Sequence, residues 1–102
     1  MTSWRGPEPE FLPVDLSHLP GVKVVWWNVW DSRDPVWTDE DMAFIHVTDR
    51  VDIDVGFYRD GRFSVWVVQD NDWEDLVEEA RTDDPRELPA IVKRLAEKYV
   101  QA

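Results

Sequence analysis

Val51-Asp52-Ile53-Asp54-Val55-Gly56-Phe57-Tyr58 leads through Arg59-Asp60-Gly61-Arg62 into Phe63-Ser64-Val65-Trp66-Val67-Val68. The first half alternates apolar and polar residues with a period of two, the pattern of a half-buried strand. A two-residue turn at Asp60-Gly61 would set Phe57 opposite Ser64 and leave Phe63 on the polar side. A type I turn on Arg59-Asp60, with Gly61 as a left-handed bulge residue, pairs Tyr58 with Arg62 instead. Phe57 then meets Phe63, Val55 meets Val65 and Ile53 meets Val67. A slip of one residue exchanges the two faces of a strand, so the hydrophobic match selects the bulged turn. The opposite face of the hairpin then carries Asp52, Asp54, Tyr58, Arg62, Ser64, Trp66 and Val68. That places an indole on the side expected to be wet.

Upstream, Val22-Lys23-Val24-Val25-Trp26-Trp27-Asn28-Val29-Trp30 is rich in β-branched and aromatic residues and reads as a strand. Val22, Val24, Trp26 and Trp30 fall on one side, and Val25, Trp27 and Val29 on the other. Both sides are apolar, the mark of a strand buried on two faces. Residues 42–48 fit a short helix through Thr38 and Asp41 as a capping box. They fit a strand better through Ala43, Ile45 and Val47. Before these elements, Pro7, Pro9, Pro13 and Pro20 fix φ and remove donors, so residues 1–21 form an extended arm. Phe11, Leu12, Val14, Leu16 and Leu19 anchor it to the body.

Downstream, Asn71 as a cap and Trp73, Leu76, Val77 and Ala80 at helical spacing predict a helix over 72–81. Asp84-Pro85-Arg86-Glu87 is a second start signal, with an N-cap acid and Pro at the first helical position. The stripe Leu88, Ile91, Val92, Leu95 and Tyr99 carries this helix over 85–100, and Pro89 delays its regular start by about one turn. The resulting expectation is a two-layer α+β fold. An antiparallel sheet of three to four strands (22–30, 42–48, 50–58, 62–69) is packed by two C-terminal helices (72–81, 85–100), with residues 22–102 as one domain behind the arm.

Composition narrows the function classes. The chain of 102 residues is of ordinary size for one core. It contains no Cys, which removes disulfides, thiolate metal sites and Cys nucleophiles together. No apolar segment has the length of a bilayer span and the first residues lack the apolar run of a secretory signal, so a cytoplasmic protein is expected. With 22 acidic against 11 basic residues the formal charge is −11. That sign disfavours direct contact with nucleic acid or an anionic membrane and favours a basic protein partner. Seven Trp in so short a chain imply either an unusually aromatic core or an adhesive surface, since each indole holds a large apolar area.

Catalytic chemistry finds little support. Asp52 and Asp54 lie roughly 6.6 Å apart as two rises of about 3.3 Å, at the lower edge for an inverting carboxylate pair. Alternating acids on a polar strand face explain them more simply. His18 and His46 are the only histidines, Ser17, Ser32 and Ser64 lack a nucleophile-elbow context, and the scattered glycines make no phosphate cradle. No cofactor or metal site is expected.

Two surfaces remain. Two helices cover one face of such a sheet, and the other face keeps exposed Trp residues whose combined area approaches the largest patches on monomers. Trp26, Trp30, Trp37 and Trp66 are the aromatic candidates; the arm, a second copy of the chain or another protein is the cover. Asp39, Glu40 and Asp41 in the 31–41 loop, with Asp70, Asp72, Glu74, Asp75, Glu78, Glu79 and Asp83, are the acidic candidates. On a 72–81 helix these last acids would form a solvent-side patch. The overall profile is similar in general type to small bacterial immunity proteins and phage-encoded inhibitors, without residue correspondences. The leading expectation is therefore a non-catalytic protein-binding module that docks a basic partner. A nucleic-acid mimic that inhibits a DNA-binding protein, a carbohydrate or small-ligand binder, and a structural homodimer are its competitors.

Overall fold

The computed structural model describes residues 9–34, 37–38, 41–58 and 61–101. Five strands form one sheet in sequence order: β1 (Lys23–Trp27), β2 (Ala43–His46), β3 (Val51–Phe57), β4 (Phe63–Gln69) and β5 (Glu78–Thr82). Every neighbouring pair is antiparallel, so the sheet is a simple meander. A 3₁₀ turn at Pro85–Glu87 leads into α1 (Leu88–Tyr99), the one α-helix among the described residues.

The central hairpin adopts the register that its hydrophobic pattern selects. Phe57 pairs with Phe63, Val55 with Val65 and Ile53 with Val67. Gly61 has a φ of 78°, the left-handed bulge conformation that favours glycine. Arg59 and Asp60, the first two residues of that turn, lie outside the described residues. Residues 42–48 supply strand β2, as the Ala43, Ile45, Val47 alternation implies.

Apart from Val68, which is buried on the opposite face, the core positions of the sheet point to one side. Ala43, Ile45, Ile53, Val55, Phe63, Val65 and Val67 are fully buried there together with Leu88, Val92, Leu95 and Ala96 of α1. The arm packs on the same core through Leu12, Val14, Leu16 and Leu19. Its backbone extends the sheet edge: the Leu12 amide donates to the Val29 carbonyl and the Asp31 amide to the Glu10 carbonyl. Trp27 fixes it from below by donating its indole N–H to the Leu12 carbonyl at 2.6 Å. The arm therefore closes the helix side of the sheet and not the face that carries Trp66.

Three expectations need correction. The helix over 72–81 does not form. Asp70 and Asn71 both have positive φ, 56° and 60°, and the Asp72 amide donates to the Gln69 carbonyl. That is a turn with two left-handed central residues, which feeds a hairpin and not a helix. After an irregular stretch, residues 78–82 pair with β4 as β5, which makes five strands and leaves one helix. Trp73, placed on the inner side of that helix by its spacing, is 43% exposed.

Strand β1 is the third correction. It is shorter than 22–30 and lies at the sheet edge, with Val24, Val25 and Trp26 exposed instead of buried on two faces. A bulge between Val24 and Trp26 shifts the register, so Val24 stands opposite Ile45 and Trp26 opposite Phe44. The extra residue moves Trp26 to the face opposite Val24. Trp30 lies beyond the strand in a bridge with Phe11.

The C-terminal start signal works as its residues imply. The Asp84 side chain accepts from the Arg86 amide, Pro85 follows at the first position, and the regular helix begins only at Leu88. Pro89 accounts for the delay, because a proline fits the first turn of an α-helix and is costly further in.

Candidate functional site

The face of the sheet turned away from α1 is built from rows that run across the strands. One row reads Trp26, Phe44, Asp54, Trp66, Glu79 from β1 to β5. On one side of it lie Lys23, His46, Asp52 and Val68; on the other lie Gly56, Ser64 and Arg81. Neighbouring strands stand about 4.8 Å apart, so Phe44 and Trp66 flank Asp54 directly.

Among the described residues no helix covers this face, and its aromatic rings lie against each other instead. Trp26 stacks on Phe44 with centroids 5.4 Å apart and planes at 26°. Tyr58 stacks on Trp66 at 4.8 Å and 12°. Tyr58 and Trp66 sit on opposite sides of the Gly56–Ser64 pair, so rings that close must lean across that pair. The small residues there are what permit it, and both are buried. Glu79 fixes the indole by accepting its N–H at 2.7 Å and also accepts from Arg81 at 3.1 Å. His46 is held by Asp52 and meets Phe44 edge-on at 5.2 Å.

Asp54 lies at the centre of this arrangement and is only 7% exposed. Among the described residues its carboxylate accepts one bond, from the Tyr58 hydroxyl at 3.3 Å. Among the described residues no Lys, Arg or His comes within ion-pair distance of it. Burial pushes its pKa up to about 6; the nearby Asp41 charge adds to the rise and the Tyr58 hydrogen bond opposes it. A carboxylate removed from water without a cation is costly, and the fold keeps one on the face turned away from α1.

The aromatic candidates divide. Trp26 and Trp66 come together in the central row. Trp30 and Trp37 pack on each other at 5.2 Å beyond β1, where Phe11 meets Trp30 edge-on at the same distance. That trio fastens the arm. Phe44, Asp54 and Tyr58 complete the central site, and alternation around Ala43, Ile45 and Val47 was the signal that places Phe44 on the outer face.

The acidic candidates disperse, because the helix that would have gathered them is absent. Asp39 and Glu40 lie outside the described residues; Asp41 is exposed beside Asp54. Asp70 is gripped by Arg50, with both carboxylate oxygens at 2.7 Å, which holds its pKa below the usual range. Glu78 faces α1 and accepts from Lys98 and the Tyr99 hydroxyl, each at 2.8 Å, with the same downward effect. Asp83 pairs with Arg62 at 3.7 Å. Asp72 accepts from the Glu74 amide, and Asp75 lines a shallow depression with Leu76 and Val77. Only Glu79 joins the aromatic row.

Among the described residues no group of three or more His, Asp or Glu side chains is arranged to hold a metal ion. No helix there is long and apolar enough to cross a membrane. Compared with known protein families, curated proteins and solved structures, the chain matches none of them.

Proposed function

We propose that this protein is a non-catalytic binding module that docks a basic protein partner on the helix-free face of its sheet. The observation that carries this reading is the row Trp26, Phe44, Asp54, Trp66, Glu79, in which three aromatic side chains and two carboxylates lie side by side on a face that no helix of the described residues covers. Aromatic faces attract cations through the ring quadrupole, and carboxylates among them add charge. A net charge of −11 speeds encounter with a partner of opposite sign. Rings supply large contact area at little entropic cost, as in the anchors of other interfaces. An inhibitor or immunity-type role fits such a surface.

The test is capture of a partner from the native host with three baits. Wild type and a control, Asp72→Lys with Glu74→Lys in the β4–β5 loop, are expected to retain the same partner. Trp26→Ala with Glu79→Lys, which alters the row at exposed positions, is expected to lose it by about tenfold or more, the equivalent of about 1.4 kcal/mol. Retention should also fall as salt rises, since the contact is between opposite charges. A partner held equally by the row variant and lost by the loop variant would move the docking surface to residues 70–77.

A homodimer is the second reading, favoured by the exposed Val24, Val25 and Trp26 on the edge strand β1. The bulge within β1 works against it, because a broken ladder is a poor template for a second strand. Sedimentation of a monomer at micromolar concentration removes this reading.

A further inference from the structure

We infer that the position over Asp54 receives the guanidinium group of an arginine side chain presented by the partner. The inference rests on the docking reading above and specifies its central contact. Asp54 is the only member of the row that is both charged and buried, at 7% exposure. Its one hydrogen bond among the described residues, from Tyr58 to Oδ2, is long at 3.3 Å, which leaves acceptor capacity at Oδ1. Phe44 and Trp66 stand on either side of it and Tyr58 stacks on Trp66.

A ligand for this place must be cationic, must donate hydrogen bonds in a plane, and must tolerate apolar walls. Guanidinium meets all three conditions. It is planar and always charged, it donates to carboxylates in its own plane, and it stacks on aromatic faces with little loss of hydration. A lysine ammonium is compact and strongly hydrated, so entering between two rings strips more water from it. A neutral or anionic group leaves the buried carboxylate uncompensated, which costs more than an unmade neutral bond.

Among the described residues no basic side chain of this face is placed at Asp54, and Arg62 pairs with Asp83 at 3.7 Å. Arg81 is held at Glu79 by a 3.1 Å contact, and His46 is bonded to Asp52. Lys23 lies on the outermost strand, in the row beside His46. The nearby Asp41 adds to the negative field around Asp54. An incoming arginine thus finds one largely buried carboxylate, two flanking rings and the nearby Asp41 charge.

Three blocked tripeptides, with arginine, lysine or citrulline between glycines, separate the possibilities when titrated against the ¹⁵N-labelled protein. The arginine peptide should shift the Trp66 indole N–H resonance saturably at millimolar concentration. The lysine peptide should bind several-fold more weakly, and citrulline, which keeps the shape and loses the charge, should leave the resonance in place. Asp54→Asn should weaken the arginine peptide by about tenfold, the loss of one charge-assisted contact of about 1.4 kcal/mol. The Trp27 indole, bonded to Leu12 on the opposite face, should stay unshifted throughout and report an intact fold. Equal response to the arginine and citrulline peptides, or indifference to Asp54→Asn, overturns the arginine contact. If the captured partner still distinguishes the row variant, the docking surface survives that result; if it does not, both fall.

Discussion

Replacing Phe63 with alanine should cost about 3–5 kcal/mol of folding stability, the range for a buried aromatic truncated in a packed core. Phe63 has no exposed surface. It opens β4, meets Phe57 across the bulged turn at 4.8 Å, and stands opposite Thr82 of β5. Removing its ring therefore opens a cavity at the point where the central hairpin, the fifth strand and the helical layer converge. Domains of this size have only about 5–15 kcal/mol to lose, so the variant should unfold at a far lower denaturant concentration. Urea unfolding followed by Trp fluorescence measures the shift. A loss below about 1 kcal/mol, the level of a surface change, would mean that this ring does not fill the centre of the core.

Asp54→Asn should act in the opposite direction and raise stability by about 2 kcal/mol near neutral pH, somewhat less than the full value of a two-unit shift. The sign follows from the direction of the pKa. In the unfolded chain Asp54 titrates near 3.8, and in the folded protein near 6. Above about pH 6 the group is charged in both states, and the folded state alone bears the cost of keeping that charge out of water. As pH falls through 6 the folded form takes up a proton first, so wild type gains stability down to about pH 4. Asparagine keeps the acceptor for Tyr58 and lacks the charge, so its advantage should shrink over the same interval and disappear below it. Asp41, Asp52, His46, Tyr58, Glu79 and Arg81 surround the group and remain in both proteins, so the difference between them isolates Asp54. Parallel stability profiles from pH 7.5 to 4 would show that the carboxylate is not desolvated. The stabilising replacement is also expected to impair binding, a trade found where a fold tolerates strain for function.

The central hairpin was legible in the sequence because two independent constraints agree there. Alternation set the faces of 51–57 and 63–68, and Gly61 offered the one residue suited to the bulge, so the register followed from both. The Asp84-Pro85 helix start was readable for the same reason: its cap and its stripe point to one answer. Residues 72–81 misled because two signals agreed on a helix that does not form. Trp73, Leu76, Val77 and Ala80 recur at helical spacing, and Glu78-Glu79-Ala80-Arg81 has weak strand propensity. The pairing of Asp70 and Asn71 in a left-handed turn outweighed both, with Arg50 fastening Asp70 across the end of the hairpin.

The site was half visible for a related reason. Register placed Asp52, Asp54, Tyr58 and Trp66 on the outer face, yet counting alone could not show that Asp54 would be buried among rings. That burial arises from Tyr58 leaning over Gly56 and Ser64 to meet Trp66, a tertiary arrangement with no linear signature. Trp26 was a candidate by residue type, and only the β1 bulge moved it into the row. The acid-rich run from 70 to 83 looked like one patch because a helix would have made it one. On a turn and an edge strand the same residues serve Arg50, Lys98, Trp66 and Arg62 in turn.

The most direct measurement is the footprint of the captured partner on the seven indole N–H resonances. Trp26 and Trp66 should shift or broaden on complex formation, while Trp27, bonded beneath the arm on the helix side, should hold its position. Perturbation of Trp27 and the α1 amides with Trp66 unmoved would place the partner on the opposite side of the sheet and contradict a docking role for the aromatic row.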